Sequence, residues 1–202
     1  MAVNAVTNIE ICNMALGYIA KTRIASLEDR TEEARMCKLY YDHLRKMLLR
    51  NYTWGFARRV AKLAKLDKKV LGFEHVYAYP AKCLATRFIY NEDGAKIKEY
   101  EREKYDVFIL DNGVVALACD VEDAYAEYTQ DVVDADTFNV DFVEALSRLL
   151  AYNICTSLTG NQNLAQEQYQ IFQAMIANAK LANAQEKENK PHFDDAYVTV
   201  RM

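Results

Sequence analysis

Proline and glycine are scarce in this chain, with two prolines and six glycines among 202 residues, which excludes a linker-rich or solenoid organisation. Histidine is scarcer than a metal site needs. His43, His75 and His192 stand far apart, without the His-x-x-x-His or carboxylate spacing of zinc sites. The five cysteines, Cys12, Cys37, Cys83, Cys119 and Cys155, are scattered singly, never as Cys-x-x-Cys, and read as reduced core thiols. No apolar run approaches the roughly 20 residues of a membrane span. The opening MAVNAVTNIE lacks the basic patch and apolar core of a signal peptide, so synthesis in a cytoplasm is expected. Gly-x-Ser-x-Gly, P-loop and His-Glu-x-x-His motifs are missing too. The formal net charge of -4 predicts solubility rather than attraction to nucleic acid or anionic lipid.

What is present is a chain 51% hydrophobic, long enough to bury a core as one domain with a lobe inserted in it. Its centre is Thr31 to Arg59, TEEARMCKLYYDHLRKMLLRNYTWGFARR. Read as a helix, this stretch places Met36, Leu39, Tyr40, His43, Leu44, Met47 and Leu48 on one face. Glu33, Lys38, Asp42, Arg45 and Lys46 then fall mostly off it. The single tryptophan, Trp54, lies near the far end between Tyr52 and Phe56, and forms an aromatic clasp where Gly55 lets the chain turn.

Ile9, Cys12, Leu16 and Ile19 predict a preceding helix from about residue 7 to 20, capped by Thr7 or Asn8. Ile24 and Leu27 pin the connector. Beyond Trp54, the three-residue spacing of Val60, Leu63 and Leu66 suggests a short helix or an irregular arm. From Phe73 the texture turns to alternation and turn signals. Pro80 marks an edge or bend before a strand around Ala85 to Tyr90, and Glu92-Asp93-Gly94 reads as a turn. Asp111-Asn112-Gly113 joins two strands as a hairpin, and AYAEYT offers one more. After Asp134 the helical period returns through Phe142, Leu146, Leu149, Leu150 and Ile154, and stops at Gly160. A last helix follows to about Lys187. The expected fold is therefore α+β and mainly α. It is a four-helix antiparallel bundle over residues 1–190, with a small antiparallel β lobe inserted at about 73–130 and an extended C-terminal arm over 191–202.

The opening ICNMALGYIAKTRIASLEDRTEEARMCKLYYDHLRKMLLRNYTWGFARR resembles that of the head-to-tail adaptor proteins of short-tailed bacteriophages, also called tail tubular protein A or portal-accessory connectors. Cys12, Asn13, Ala15, Leu16, Ile24, Ser26, Leu27, Glu33, Ala34, Tyr41, Arg45, Leu48, Leu49, Trp54, Phe56 and Ala57 follow the family's order. YAYPAKCL, with Lys82 where the family usually has an acid, and the stretch from Tyr128-Thr129 to Leu158-Thr159-Gly160 continue the likeness over most of the chain. The resemblance implies a structural protein of the virion tail at the head–tail junction, made in the host cytoplasm. It implies a dodecameric ring bound to the portal protein and to a tail nozzle or tail tube component, with packaged DNA passing through and not specifically bound. It supplies no catalytic residue and no cofactor. The competing reading is a helical protein–protein interaction module of another phage or bacterial assembly, without catalysis.

Charge is segregated along the chain. Nine basic residues lie between Arg45 and Lys69 against the single acid Asp67, and no lysine or arginine occurs from Tyr105 to Ser147. Ring closure through unlike patches would set Arg58, Arg59 and Lys62 of one copy against Asp131, Asp134 and Asp136 of the next. The alternatives are separate solvated faces, or contact between the two stretches within one subunit. Arginine and lysine near Tyr52, Trp54 and Phe56 could serve DNA contacts, but such aromatics are more often core anchors. An enzyme would have to use Asp42 and His43, which point about 100° apart on a helix, or Glu122 and Asp123. In the arm, Phe193, Tyr197, Val198 and Val200 suit strand addition to a portal.

Overall fold

The computed structural model describes residues 6–91 and 104–188, with side chains to residue 179. The Glu92-Asp93-Gly94 turn and the arm lie outside these residues. Helix α1, Asn8–Tyr18, begins with a reciprocal cap in which Glu10 N donates to Thr7 Oγ1 at 3.2 Å and Thr7 N to Glu10 Oε2 at 2.7 Å. Asn13 then pins the connector from both sides, accepting from Ile24 N at 2.8 Å and donating to Ile24 O at 3.0 Å.

Helix α2, Glu32–Asn51, is capped by Thr31, whose hydroxyl accepts from Ala34 N. It stops eight residues short of Arg59, and a 3₁₀ turn at Gly55–Ala57 follows. Its buried face is Ala34, Cys37, Tyr41, Leu44, Arg45, Leu48 and Leu49, rotated from the face read in the sequence. Leu39 is 62% exposed and His43 is exposed. The clasp does form. Trp54 Nε1 donates to Leu48 O at 3.2 Å. Its ring meets Phe142 edge-on at 5.0 Å, while Phe56 and Phe138 pack on Phe142 at 5.1 and 4.7 Å, each contact adding about 1 kcal/mol.

The four-helix bundle with a small lobe is corrected by the structure, which over the described residues is a mixed α/β fold of four helices and two antiparallel sheets with seven strands. Strands β1 (Arg58–Lys62), β7 (Tyr125–Gln130) and β4 (Cys83–Tyr90) form one sheet in the order β1-β7-β4. Strands β2 (Lys65–Leu66), β3 (His75–Ala78), β6 (Val115–Cys119) and β5 (Tyr105–Ile109) form the other, in the order β2-β3-β6-β5. The segment read as a short helix or arm is thus β1 and β2. Period-2 burial puts Ala61 and Leu63 inward with Tyr77, Ile89 and Leu117, whereas Val60 is exposed. The three-residue spacing was incidental. The hairpin across Asn112-Gly113 forms with Gly113 at φ 80°.

Helices α3, Val140–Thr159, and α4, Gln162–Glu188, complete the chain. Gly160 at φ 69° takes the left-handed position that ends α3. The helical layer is organised on α3, against which α1, α2 and α4 each pack, with Leu16, Leu48, Phe142, Leu146 and Leu150 in its core. The sheets carry a core of their own around Leu63, Tyr77, Ile89, Leu117 and Tyr128.

Two arginines join the layers. Arg45, 1% exposed, donates from Nη1 to Asp131 Oδ1 at 2.6 Å and to Val132 O, and from Nη2 to Asp42 Oδ1 at 2.7 Å. Arg87 of β4 donates from Nη2 to Leu49 O, Arg50 O and Tyr52 O at 3.3, 2.7 and 3.1 Å, occupying the negative end of α2. Its Nε donates to Thr129 Oγ1 at 2.9 Å.

Two substitutions test this packing by urea unfolding. Arg45→Ala strands Asp131 in a half-buried site and should lower the unfolding free energy by about 3 kcal/mol at unchanged m-value. The buried hydroxyl of Tyr41 has no hydrogen-bond partner among the described residues, so Tyr41→Phe should raise stability by about 1 kcal/mol. A loss on Tyr41→Phe would show that the hydroxyl is satisfied.

Candidate interaction surfaces

The antiparallel register of β1 with β7 sets Arg58 opposite Thr129, Val60 opposite Glu127 and Lys62 opposite Tyr125, so the basic stretch lies directly on the acidic one. Arg58 Nη2 pairs with Glu127 Oε2 at 2.7 Å, Lys62 Nζ with Asp123 Oδ1 at 2.9 Å, and Lys65 Nζ with Glu122 Oε1 at 3.7 Å. Glu127 is 6% exposed. The hydrogen bond to Glu127 raises the Arg58 pKa above its ordinary value, and the hydrogen bond from Lys62 holds the Asp123 carboxyl below the usual carboxylate range.

The six residues read as a subunit interface therefore divide. Arg58, Lys62 and Asp131 have partners within the subunit. Arg59, Asp134 and Asp136 are exposed, and Arg59 Nη1 bonds only backbone oxygens, Phe56 O at 2.9 Å and Arg58 O at 2.8 Å. The arm residues Phe193, Tyr197, Val198 and Val200 lie outside the described residues.

The carboxylates considered for catalysis are placed as surface ion-pair partners. Asp42 is bound by Arg45 and Lys46, and Glu122 and Asp123 by lysines. Partial burial pushes the Asp42 carboxyl up, but the hydrogen bonds from Lys46 and Arg45 outweigh it and leave the group below its ordinary value. Among the described residues no group of three His, Cys, Asp or Glu side chains could hold a metal ion, and no helix is long and apolar enough to cross a membrane. The Trp54, Phe56, Phe138 and Phe142 rings are committed to the interior or to one another, which removes them as a base-stacking platform.

The sequence reading missed one surface, the cleft between β4 and β5. A cavity of about 390 Å³ opens there, lined by Arg50, Tyr79, Cys83, Leu84, Ala85, Thr86, Tyr105, Val107 and Val115. Beside it Ile109 is 70% exposed and Val114 48%. The alternation of YDVFI marked a strand, but nothing in it told which face the fold would leave uncovered.

No protein-family model matches the chain, and no curated protein matches it.

The two exposed arginines of β1 separate fold from surface. Arg58→Glu leaves Glu127 buried beside a like charge and should cost about 2 kcal/mol, less than a fully buried pair because Arg58 is half exposed. The double swap Arg58→Glu with Glu127→Arg should recover most of it. Arg59→Glu should stay within about 0.5 kcal/mol of wild type. Equal losses at Arg58 and Arg59 would contradict the pairing.

Proposed function

We propose that this chain is a structural subunit of a head-to-tail adaptor. It forms a ring that joins the portal of a short-tailed bacteriophage to its tail nozzle or tail tube and encloses part of the DNA exit channel. The observation that carries this reading is the ordered pattern from Cys12 to Ala57, continued at Tyr77 to Leu84 and at Tyr128 to Gly160.

The roles of those residues in the fold support it. Cys12, Ala15, Leu16, Ala34, Tyr41, Arg45, Leu48, Leu49, Trp54 and Ala57 are buried, and Asn13 holds the connector at Ile24. The pattern is thus a pattern of framework residues, and a shared framework is what a likeness in fold requires. Ring closure joins two different patches of one subunit. With Arg58, Lys62 and Asp131 engaged internally, Arg59, Asp134 and Asp136 are the charges left for that contact. DNA passes through without sequence-specific contacts, and the ring needs no chemistry of its own.

Light scattering tests the reading. The chain should add to its cognate portal as a multi-copy ring, seen as a step in mass, and Arg59→Glu should reduce that step while leaving the fold intact. A chain whose mass and that of the portal are unchanged on mixing would overturn the adaptor reading.

A further inference from the structure

The five cysteines do not share one environment. Cys83 meets the hydroxyl of Thr86 at 3.9 Å, Cys119 donates to Val121 O at 3.8 Å, and Cys155 lies at 3.4 Å from Thr159 Oγ1 and 3.5 Å from Asn161 O. Each of these has an oxygen neighbour. Cys12 and Cys37 instead have each other, with a hydrogen bond from thiol to thiol between α1 and α2.

The fold produces this pairing. The buried stripe of α1 is Ile11, Cys12, Ala15 and Leu16, and that of the first half of α2 is Ala34, Cys37 and Tyr41. Asn13 clamps the connector at Ile24. Asp29 Oδ2 then accepts from Ala25 N and Ser26 N at 2.8 and 3.1 Å, so the chain turns back and lays one stripe against the other. Both cysteines are completely buried.

Tyr41, one turn beyond Cys37, brings a third polar group to the pair. Its side chain is 7% exposed, and its Oη has no hydrogen-bond partner among the described residues. Burial and the proximity of Cys12 push its pKa up, so at neutral pH it keeps a proton to donate. The hydrogen bond from Cys12 holds the Cys37 thiol below its ordinary value, while the bond to Cys37 and burial push Cys12 up. Cys37 is therefore the member that ionises first.

We propose that Cys12 and Cys37 form a redox-sensitive dithiol, which closes to a disulfide between α1 and α2 when the protein meets hydrogen peroxide. The Cys37 thiolate attacks one peroxide oxygen. An S–O bond forms as the O–O bond breaks, and the departing hydroxide takes up the proton Cys37 released, leaving as water. The Cys12 sulfur then attacks the sulfenic sulfur of Cys37. The S–S bond forms as the S–O bond breaks, and the second water leaves with the Cys12 proton. Two thiols are oxidised by the loss of two hydrogens, and one peroxide is reduced to two waters. An anion in an apolar core needs a donor, and the unpartnered Tyr41 hydroxyl is placed to supply it. Reducing surroundings keep the pair open and oxidising ones close it. The link ties the loop from Cys12 to Cys37 and restricts the unfolded chain. It is independent of whether the chain forms a ring.

The wild-type full chain provides the test. Treated with a few equivalents of hydrogen peroxide, alkylated in urea and digested without reduction, it should yield a Cys12–Cys37 peptide pair lighter by two hydrogens, with Cys83, Cys119 and Cys155 unlinked. The oxidised monomer should melt roughly 10 °C above the reduced one, and dithiothreitol should reverse the shift. Cys37→Ser should lose the link and the shift together, whereas Cys83→Ser should keep both. Absence of that link from the folded chain, or links spread evenly over other cysteine pairs, would overturn the proposal.

Discussion

The guanidinium of Arg45 sits almost fully inside the protein, where an unpaired charge would cost several kcal/mol. Its donors are satisfied by Asp42 on its own helix and by Asp131 and Val132 O beyond β7, so the helical layer and the first sheet must dock together for the charge to be paired. Arg87 makes the reciprocal link, reaching from β4 to the open carbonyls at the end of α2. With one cation running each way across the junction, the sheets are a second layer fixed to the helices at two points. The insertion between α2 and α3 is therefore part of the frame.

That junction explains where the charge of the chain goes. In sequence, a basic stretch and an acidic one lie some distance apart and suggest two patches awaiting partners. Folding brings β1 onto β7, and Arg45, Arg58, Lys62 and Lys65 are spent within the subunit on Asp131, Glu127, Asp123 and Glu122. Arg59, Asp134 and Asp136 remain outward. Among the described residues, Val107, Ile109 and Val114 form an exposed apolar rim beside the cleft between β4 and β5.

Local signals were legible in the sequence, and long-range ones were not. The Thr7 cap, the start of α2 near Thr31, the Asn112-Gly113 hairpin and the Gly160 stop depend on a few neighbouring residues, and each forms where its residues stand. β1 was missed because its inward residues, Ala61 and Leu63, give a weak period-2 signal, while Val60, Leu63 and Leu66 imitate a helical one. The face of α2 was read about one position off because Arg45 was assumed to be solvated. Only the arrival of Asp131, 86 positions later in the chain, makes its burial possible. The cleft between β4 and β5 was illegible for the same reason, since no local pattern specifies which strands the two sheets will place at their edges.

The adaptor reading turns on whether copies of this framework close into a ring on a portal. Electron microscopy of the chain mixed with its cognate portal measures that directly. The account predicts one closed ring of subunits on the portal axis, with Arg59 of one copy facing Asp134 and Asp136 of the next. Isolated subunits scattered on the portal, or portals without added density, would contradict it.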